Sequence, residues 1–184
     1  MMLKKKIIIF PTDTVYGIGT KIDDSESLKK IYQIKKRDYN KPIGILFYSL
    51  EQLKDIVLIN ENIIKISKFF WPGALTLVVN TCPSYYKKTN LKKIGIRIPN
   101  NKIALKLIKK EGPLFATSVN QSGYPPLNEF EKIKFKYQNK VDHIYKNDQN
   151  LSSIPSTVID ITKKNFRLIR EGSISLKMIK KIIT

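Results

Sequence analysis

Short β-branched apolar runs of four or five residues, bounded by proline, glycine or polar residues, alternate along this chain with segments of helical period. That alternation constrains the fold most. Runs so short can be buried as strands of one sheet, and the helices between them must then cover its faces. The runs fall at residues 7–10, 43–47, 75–79, 94–98, 114–117, 141–145, 158–161 and 166–169. Apolar spacing predicts helices over 25–36, capped by Asp24 or Ser25, and then over 50–55, 61–70, 103–110, 129–137 and 175–182. Trp71-Pro72-Gly73 stops the third of these. The expected architecture is a three-layer α/β fold, with hairpin-like strand neighbours making the sheet mixed. No repeat, linker or low-complexity break interrupts it, so one domain over residues 1–184 is expected.

Composition excludes several classes. With 42% hydrophobic residues the chain can build a core despite a net charge of +19. No apolar run approaches the roughly 18 residues of a membrane span, so no membrane association is expected. The four apolar residues after the basic start, 7–10, are too few for a signal peptide. One cysteine, Cys82, and one histidine, His143, exclude a disulfide framework and any Cys/His zinc site. A reducing cytoplasm is the expected setting.

The charge is unevenly made. Of the 34 basic residues 30 are Lys and 4 are Arg, beside 29 Ile, 13 Asn and 3 Ala, a skew that AT-rich codon usage produces unaided. Residues 81–110 carry nine basic and no acidic residues, whereas 51–80 balance at three and three. Such a segment reads either as a set of solvated lysine faces or as a field attracting polyphosphate or RNA. The four positions that keep Arg (Arg37, Arg97, Arg167 and Arg170) point to sites requiring a planar bidentate fork.

Familiar nucleotide and hydrolase signatures are missing. No glycine precedes lysine, Gly17-Ile18-Gly19 lacks the third glycine of a dinucleotide fingerprint, no GxSxG or HExxH occurs, and one histidine is poor material for a hydrolytic triad. Polar residues at strand ends remain, where α/β folds place their sites. They are Pro11-Thr12-Asp13-Thr14-Val15-Tyr16-Gly17; Lys35 and Arg37 with Lys41; Arg97 before Pro99; Ser118 and Asn120 leading into Ser122-Gly123; and Pro155-Ser156-Thr157-Val158-Ile159-Asp160 with Arg170 and Gly172 after it. Taken singly, each is equally a hydrogen-bonded turn, a compensated helix end or a solvent-facing charge.

In this order, with Trp71-Pro72-Gly73-Ala74-Leu75-Thr76 between them, the segments resemble the YrdC-like family of threonylcarbamoyl-AMP synthases over essentially the whole chain. The resemblance implies a twisted mixed parallel/antiparallel sheet flanked by helices around a concave basic cleft. It implies an enzyme joining L-threonine, bicarbonate and ATP into threonylcarbamoyl-AMP and pyrophosphate. The product would serve threonylcarbamoyladenosine modification of tRNA through separate downstream transfer proteins; the basic segment 81–110, apart from the resemblance, points to RNA or tRNA as a further partner of the cleft. Thr14, Arg97, Ser118 and Ser156 would surround threonine, while Arg37, Lys41, Lys93, Asn120, Asn128 and Arg170 would line the ATP side. Lys35, Arg37, Ser118 and Asn120 form the implied catalytic set, acting by charge stabilisation as pyrophosphate leaves. Magnesium ion would ride on the ATP phosphates, since the sequence offers no carboxylate cage.

The chain departs from the family pattern in three places. It starts six residues ahead of Ile7, where members usually carry a helix, so a sheet face is expected to lack its usual cover. Leu46 stands where some longer members place histidine near threonine. The extra C-terminal domain of those longer members is not expected. The alternatives are an RNA-binding protein using the cleft without catalysis and a free-standing carbamoyl-adenylate module like that of hydrogenase-maturation carbamoyltransferases.

Overall fold

A computed structural model describes residues 6–183. In chain order the strands are β1 (Ile8–Phe10), β2 (Gly17–Lys21), β3 (Gly44–Leu46), β4 (Leu75–Asn80), β5 (Lys93–Arg97), β6 (Leu114–Ser118), β7 (His143–Ile144), β8 (Thr157–Asp160) and β9 (Arg167–Arg170). The helices are α1 (Ser25–Lys35), α2 (Glu61–Phe70), α3 (Pro83–Thr89), α4 (Lys102–Glu111), α5 (Phe130–Tyr137) and α6 (Leu176–Ile183), with a 3-10 turn at Leu50–Leu53.

The strands form one open sheet in the order β7-β1-β2-β6-β3-β5-β4-β8-β9. It is mixed, as the sequence leads one to expect. β1 with β7, β3 with β5 and β4 with β8 run parallel, and the remaining neighbours antiparallel. Alternation along each strand divides its residues between two faces. Leu75, Leu77 and Val79 of β4, Ile94 and Ile96 of β5, and Ile159 of β8 enter the main core. There they meet Ile31 of α1, Ile63 and Ile66 of α2, Tyr85 of α3, Ile133 of α5 and Ile179 of α6. Each fully buried Ile or Leu side chain contributes about 1.5–3 kcal/mol, so this face holds most of the stability. Among the described residues the opposite face is covered at one end, where Ala104, Leu107 and Ile108 of α4 pack on Ile8, Phe10, Leu46 and Leu114. The rest of that face floors a cavity.

Helix ends follow local chemistry. Asp24, rather than Ser25, caps α1 by accepting from the Ser27 amide at 3.0 Å. Asn60 caps α2 and Asn101 caps α4 in the same way. At the end of α1, Lys36 adopts φ 50°, and the Lys36 and Arg37 amides return to the Gln33 and Tyr32 carbonyls.

Two elements escape the sequence pattern. β2 reads Gly-Ile-Gly-Thr-Lys, whose glycines weaken any strand signal, yet a Cβ at Gly19 would lie 2.3 Å from the Phe115 carbonyl of the paired strand. α3 spans seven residues with Pro83 at its start and only Tyr85 buried, too little apolar spacing to mark a helix. The run expected at 141–145 pairs only over His143–Ile144, and the helix expected at 50–55 is the shorter 3-10 turn.

Candidate functional site

The cavity measures about 860 Å³ and opens on the half of the sheet that α4 leaves bare. The sheet face turned away from the main core builds its floor: Thr76 and Val78 of β4, the bare backbone of Gly95 and the side chain of Arg97 in β5, Ser156 and Val158 at β8, and Ala116 and Ser118 of β6. Its lining includes Arg37, Lys41, Lys93, Arg97, Arg167 and Arg170, and no Asp or Glu. All four arginines of the chain therefore meet in one cavity.

Arg97 is the deepest cation, 6% exposed. Its Nε donates to the Gly73 carbonyl at 2.8 Å, Nη1 to Thr14 Oγ1 at 2.8 Å and Nη2 to Asp13 Oδ1 at 2.5 Å. Asp13 also accepts from the Asn100 amide at 2.9 Å, which ties the guanidinium to the turn after β5. A guanidinium has five N–H donors, so two remain for a ligand. Burial lowers the Arg97 pKa, Asp13 opposes that shift, and Arg170 adds to it. Thr12 fixes the neighbouring hydroxyl: its Oγ1 donates to the Val15 carbonyl at 2.7 Å and lies 3.0 Å from Thr14 Oγ1.

A second cluster forms at β8. Ser156 Oγ lies 2.8 Å from Thr76 Oγ1, and Arg170 donates to the Ser156 carbonyl at 3.0 Å and to its hydroxyl at 3.3 Å. Gly172 permits this approach, since a Cβ there would sit 2.3 Å from the Pro155 carbonyl. Lys93 pairs with Asp160 at 2.9 Å. Burial pushes the Asp160 carboxyl up, but hydrogen bonds from Thr162 and Lys93 and the Lys93 charge outweigh it and hold the pKa at about 2.

On the opposite wall, Arg37 Nε donates to the Lys41 carbonyl at 2.8 Å and Nη2 to the Pro42 carbonyl at 3.2 Å, so the guanidinium braces the loop carrying Lys41. Ser118 Oγ donates to Asn120 Oδ1 at 2.8 Å. Thr14, Arg37, Lys41, Lys93, Arg97, Ser118, Ser156 and Arg170, all expected from the sequence, line the cavity together.

Lys35, Asn120 and Asn128 do not line it and stand behind its wall. Lys35 is 1% exposed, and its Nζ donates to the Ser118 carbonyl at 2.5 Å, the Asn120 carbonyl at 2.9 Å and Asn120 Oδ1 at 2.6 Å. Three acceptors meet three ammonium donors, so the geometry makes Lys35 the brace of the Ser118–Asn120 corner. Burial, with the Arg37 charge adding, lowers its pKa to about 8. Asn128 Oδ1 accepts from the Tyr16 amide at 3.1 Å and fixes the chain entering β2.

Arg167, Thr76 and the positioning carboxylate Asp13 carry no threonine, ATP or catalytic role in the sequence reading, although Arg167 is one of its four notable arginines. For Arg167 the scarcity of arginine was the available signal. For Thr76 and Asp13, each inside a recognised segment, only the fold reveals which neighbour they hold.

Comparison with known proteins adds an independent line. The family model Sua5_yciO_yrdC, described as "Telomere recombination", matches residues 1–172. The chain is 35% identical over 182 residues to a threonylcarbamoyl-AMP synthase of Pyrococcus abyssi, covering 97% of this chain and 54% of that one. It is 30% identical over 188 residues to the Bacillus subtilis threonylcarbamoyl-AMP synthase, covering 100% and 54%. A putative threonylcarbamoyl-AMP synthase of Methanocaldococcus jannaschii is 33% identical, with 96% and 84% covered. The chain thus spans about half the length of the first two relatives. Among solved structures, P. abyssi Sua5 complexed with L-threonine superimposes with a TM-score of 0.89 at 34% identity, over 97% of this chain and 54% of that one. Escherichia coli YciO superimposes with a TM-score of 0.85 at 27% identity, over 95% and 86%.

Proposed function

The chain belongs to the Sua5/yciO/yrdC family, and from that premise we propose that it is an L-threonylcarbamoyladenylate synthase, a nucleotidyltransferase. One observation carries the reading: a single cavity gathers six cations with no lining carboxylate, one of them a buried guanidinium that keeps two donors free beside hydroxyls. That suits a triphosphate at one end and an amino-acid carboxylate at the other. The P. abyssi Sua5 structure, a near neighbour, is a complex with L-threonine, which supports threonine as a substrate here.

In this reading Thr14, Arg97, Ser118 and Ser156 hold threonine, with the Arg97 fork on its carboxylate. The threonine nitrogen bonds to the carbon of bicarbonate, water leaves, and a carbamate results. A carbamate oxygen then attacks the α-phosphorus of ATP. The bond from that phosphorus to the bridging oxygen breaks, and pyrophosphate departs with the electron pair. Arg37, Lys41, Lys93 and Arg170 face the nucleotide and stabilise the charge that gathers on the leaving group. Asn120 and Asn128 act by shaping the wall, and Lys35 by holding Ser118 and Asn120. Among the described residues no group of three His, Cys, Asp or Glu could hold a metal, so magnesium would arrive on the ATP phosphates as part of the substrate. The product would pass, in the cytoplasm, to separate proteins that modify tRNA. RNA binding without catalysis has less support, because a sequence-blind phosphate field does not require the arginines to converge in one cavity.

The test is pyrophosphate release from ATP with threonine and bicarbonate each present or omitted, the products being weighed by mass spectrometry. Release that needs both, with a threonylcarbamoyl-adenylate peak, is expected. Folded protein that releases none in a threonine-dependent manner overturns the reading.

A further inference from the structure

The register between β8 and β9 slips by one residue: Asp160 pairs with Arg167 and Ile159 with Leu168, but Val158 pairs with Arg170. Ile169 is therefore an inserted residue, a β-bulge on the outermost strand. In a regular strand Arg167 and Arg170, three apart, would point to opposite faces. The extra residue restores them to one face, and both line the cavity. The bulge thus delivers a second cation to a wall that would otherwise receive only one.

Arg167 is poorly engaged where it stands. Its side chain is 72% exposed, and Nη2 lies 3.9 Å from Asp160 Oδ2, the oxygen that Lys93 already contacts at 2.9 Å. The Asp160 carboxylate also accepts from the Thr162 amide and hydroxyl at 3.0 and 2.6 Å. Two cations, Lys93 and Arg167, consequently face one carboxylate whose oxygens are largely taken. The pair lies at the rim, well removed in burial from Arg97, and a doubly charged phosphate chain would satisfy both better than Asp160 does.

We propose that Arg167, held on the cavity face opposite Asp160 and joined there by Arg170 through the bulge, is a further anion-binding residue that with Lys93 grips the terminal phosphates of the nucleotide and the pyrophosphate leaving group. Asp160 holds the two cations in the unliganded protein and so restrains their affinity. This rests on the reading of the cavity as a nucleotide site and adds a residue, and a restraint, to it.

Calorimetric titration of the full chain with inorganic pyrophosphate, ATP and AMP at one fixed ionic strength tests the proposal. Arg167→Ala should weaken pyrophosphate and ATP by about tenfold, the loss of one charge-assisted contact, and leave AMP unchanged. Arg167→Lys should recover part of that loss. Asp160→Asn, by releasing both cations, should tighten pyrophosphate severalfold, an opposite sign that damage to β9 would not give. Wild-type affinity for pyrophosphate in Arg167→Ala, equal weakening of AMP, or weaker pyrophosphate binding in Asp160→Asn would overturn the proposal while leaving the nucleotide site standing. A wild-type protein that binds neither ATP nor pyrophosphate would overturn the site reading itself, and this inference with it.

Discussion

At Arg97 the chain places a permanent charge where water barely reaches, and three protein acceptors share it without exhausting it. Lysine there could keep the charge but not the fork, nor reach Gly73, Thr14 and Asp13 while still facing a ligand. Arg97→Lys should therefore raise the threonine KM by about tenfold or more, with a much smaller change in the ATP KM. Initial rates against each substrate would check this, and an unchanged threonine dependence would remove Arg97 from the threonine end. Lys35 makes a different point. Replacing it with methionine takes the ammonium from the Ser118 and Asn120 carbonyls and leaves Asn120 Oδ1 with the Ser118 hydroxyl alone, at a cost of about 2–4 kcal/mol of stability measurable by urea unfolding. Most of the side chains that line the cavity were legible from their motifs and from the rarity of arginine. Lys35 and Ser118 sit in equally recognisable segments, and nothing in their spacing says that one stands behind the other.

Helix α1 ends in a left-handed residue, and the chain supplies Lys36 where glycine would be at ease. Lys36→Gly should stabilise the protein by about 0.5–1 kcal/mol, visible as a higher unfolding midpoint, because the side chain's strain at φ 50° disappears. A lower midpoint would mean that the lysine makes contacts worth more than the strain. At this scale the sequence is legible wherever apolar spacing is regular, alternating along β4 and at helical period along α2. It failed at β2, where glycine is demanded by a neighbouring backbone, and at α3, which buries a single ring. It also shortened at β7, whose one hydrogen-bonded neighbour cannot sustain a run of five. Tertiary context overrides propensity in all three places.

For the whole molecule, a charge of +19 favours anions everywhere, and the cavity gathers six cations with no carboxylate in its lining. ATP binding should accordingly weaken as salt rises, with Arg97, the most buried of these cations, screened least. Asp160 supplies a separate dependence on pH. Its carboxyl is held at about 2 against 3.8 unfolded, so its contribution is complete above pH 4 and is lost as pH falls through 2. That contribution is at most about 2 kcal/mol, less as water screens the half-exposed Lys93. Urea midpoints at pH 4.5 and 2.5 should differ less in Asp160→Asn than in wild type, and equal differences would show the carboxylate to be idle. Global legibility was high for the class of sheet and for the gathering of the motifs. It was low for which sheet face stays open, because that depends on where α4 lands.

The order of strands in space also sets an order in time. β4 finds its parallel partner β8 some eighty residues later, and β9 adds to the far side of that late arrival. Thr14, Arg37 and Arg97 leave the ribosome well before Ser156, Arg167 and Arg170 exist. At about 5–20 residues per second, the second wall follows Thr14 by on the order of ten seconds. Throughout that interval the growing chain carries half a binding site, with its lower cations already facing a solution rich in nucleotides. A ligand that needs both walls cannot be captured before β8 and β9 are made, so occupancy of the cavity would report that both walls are in place.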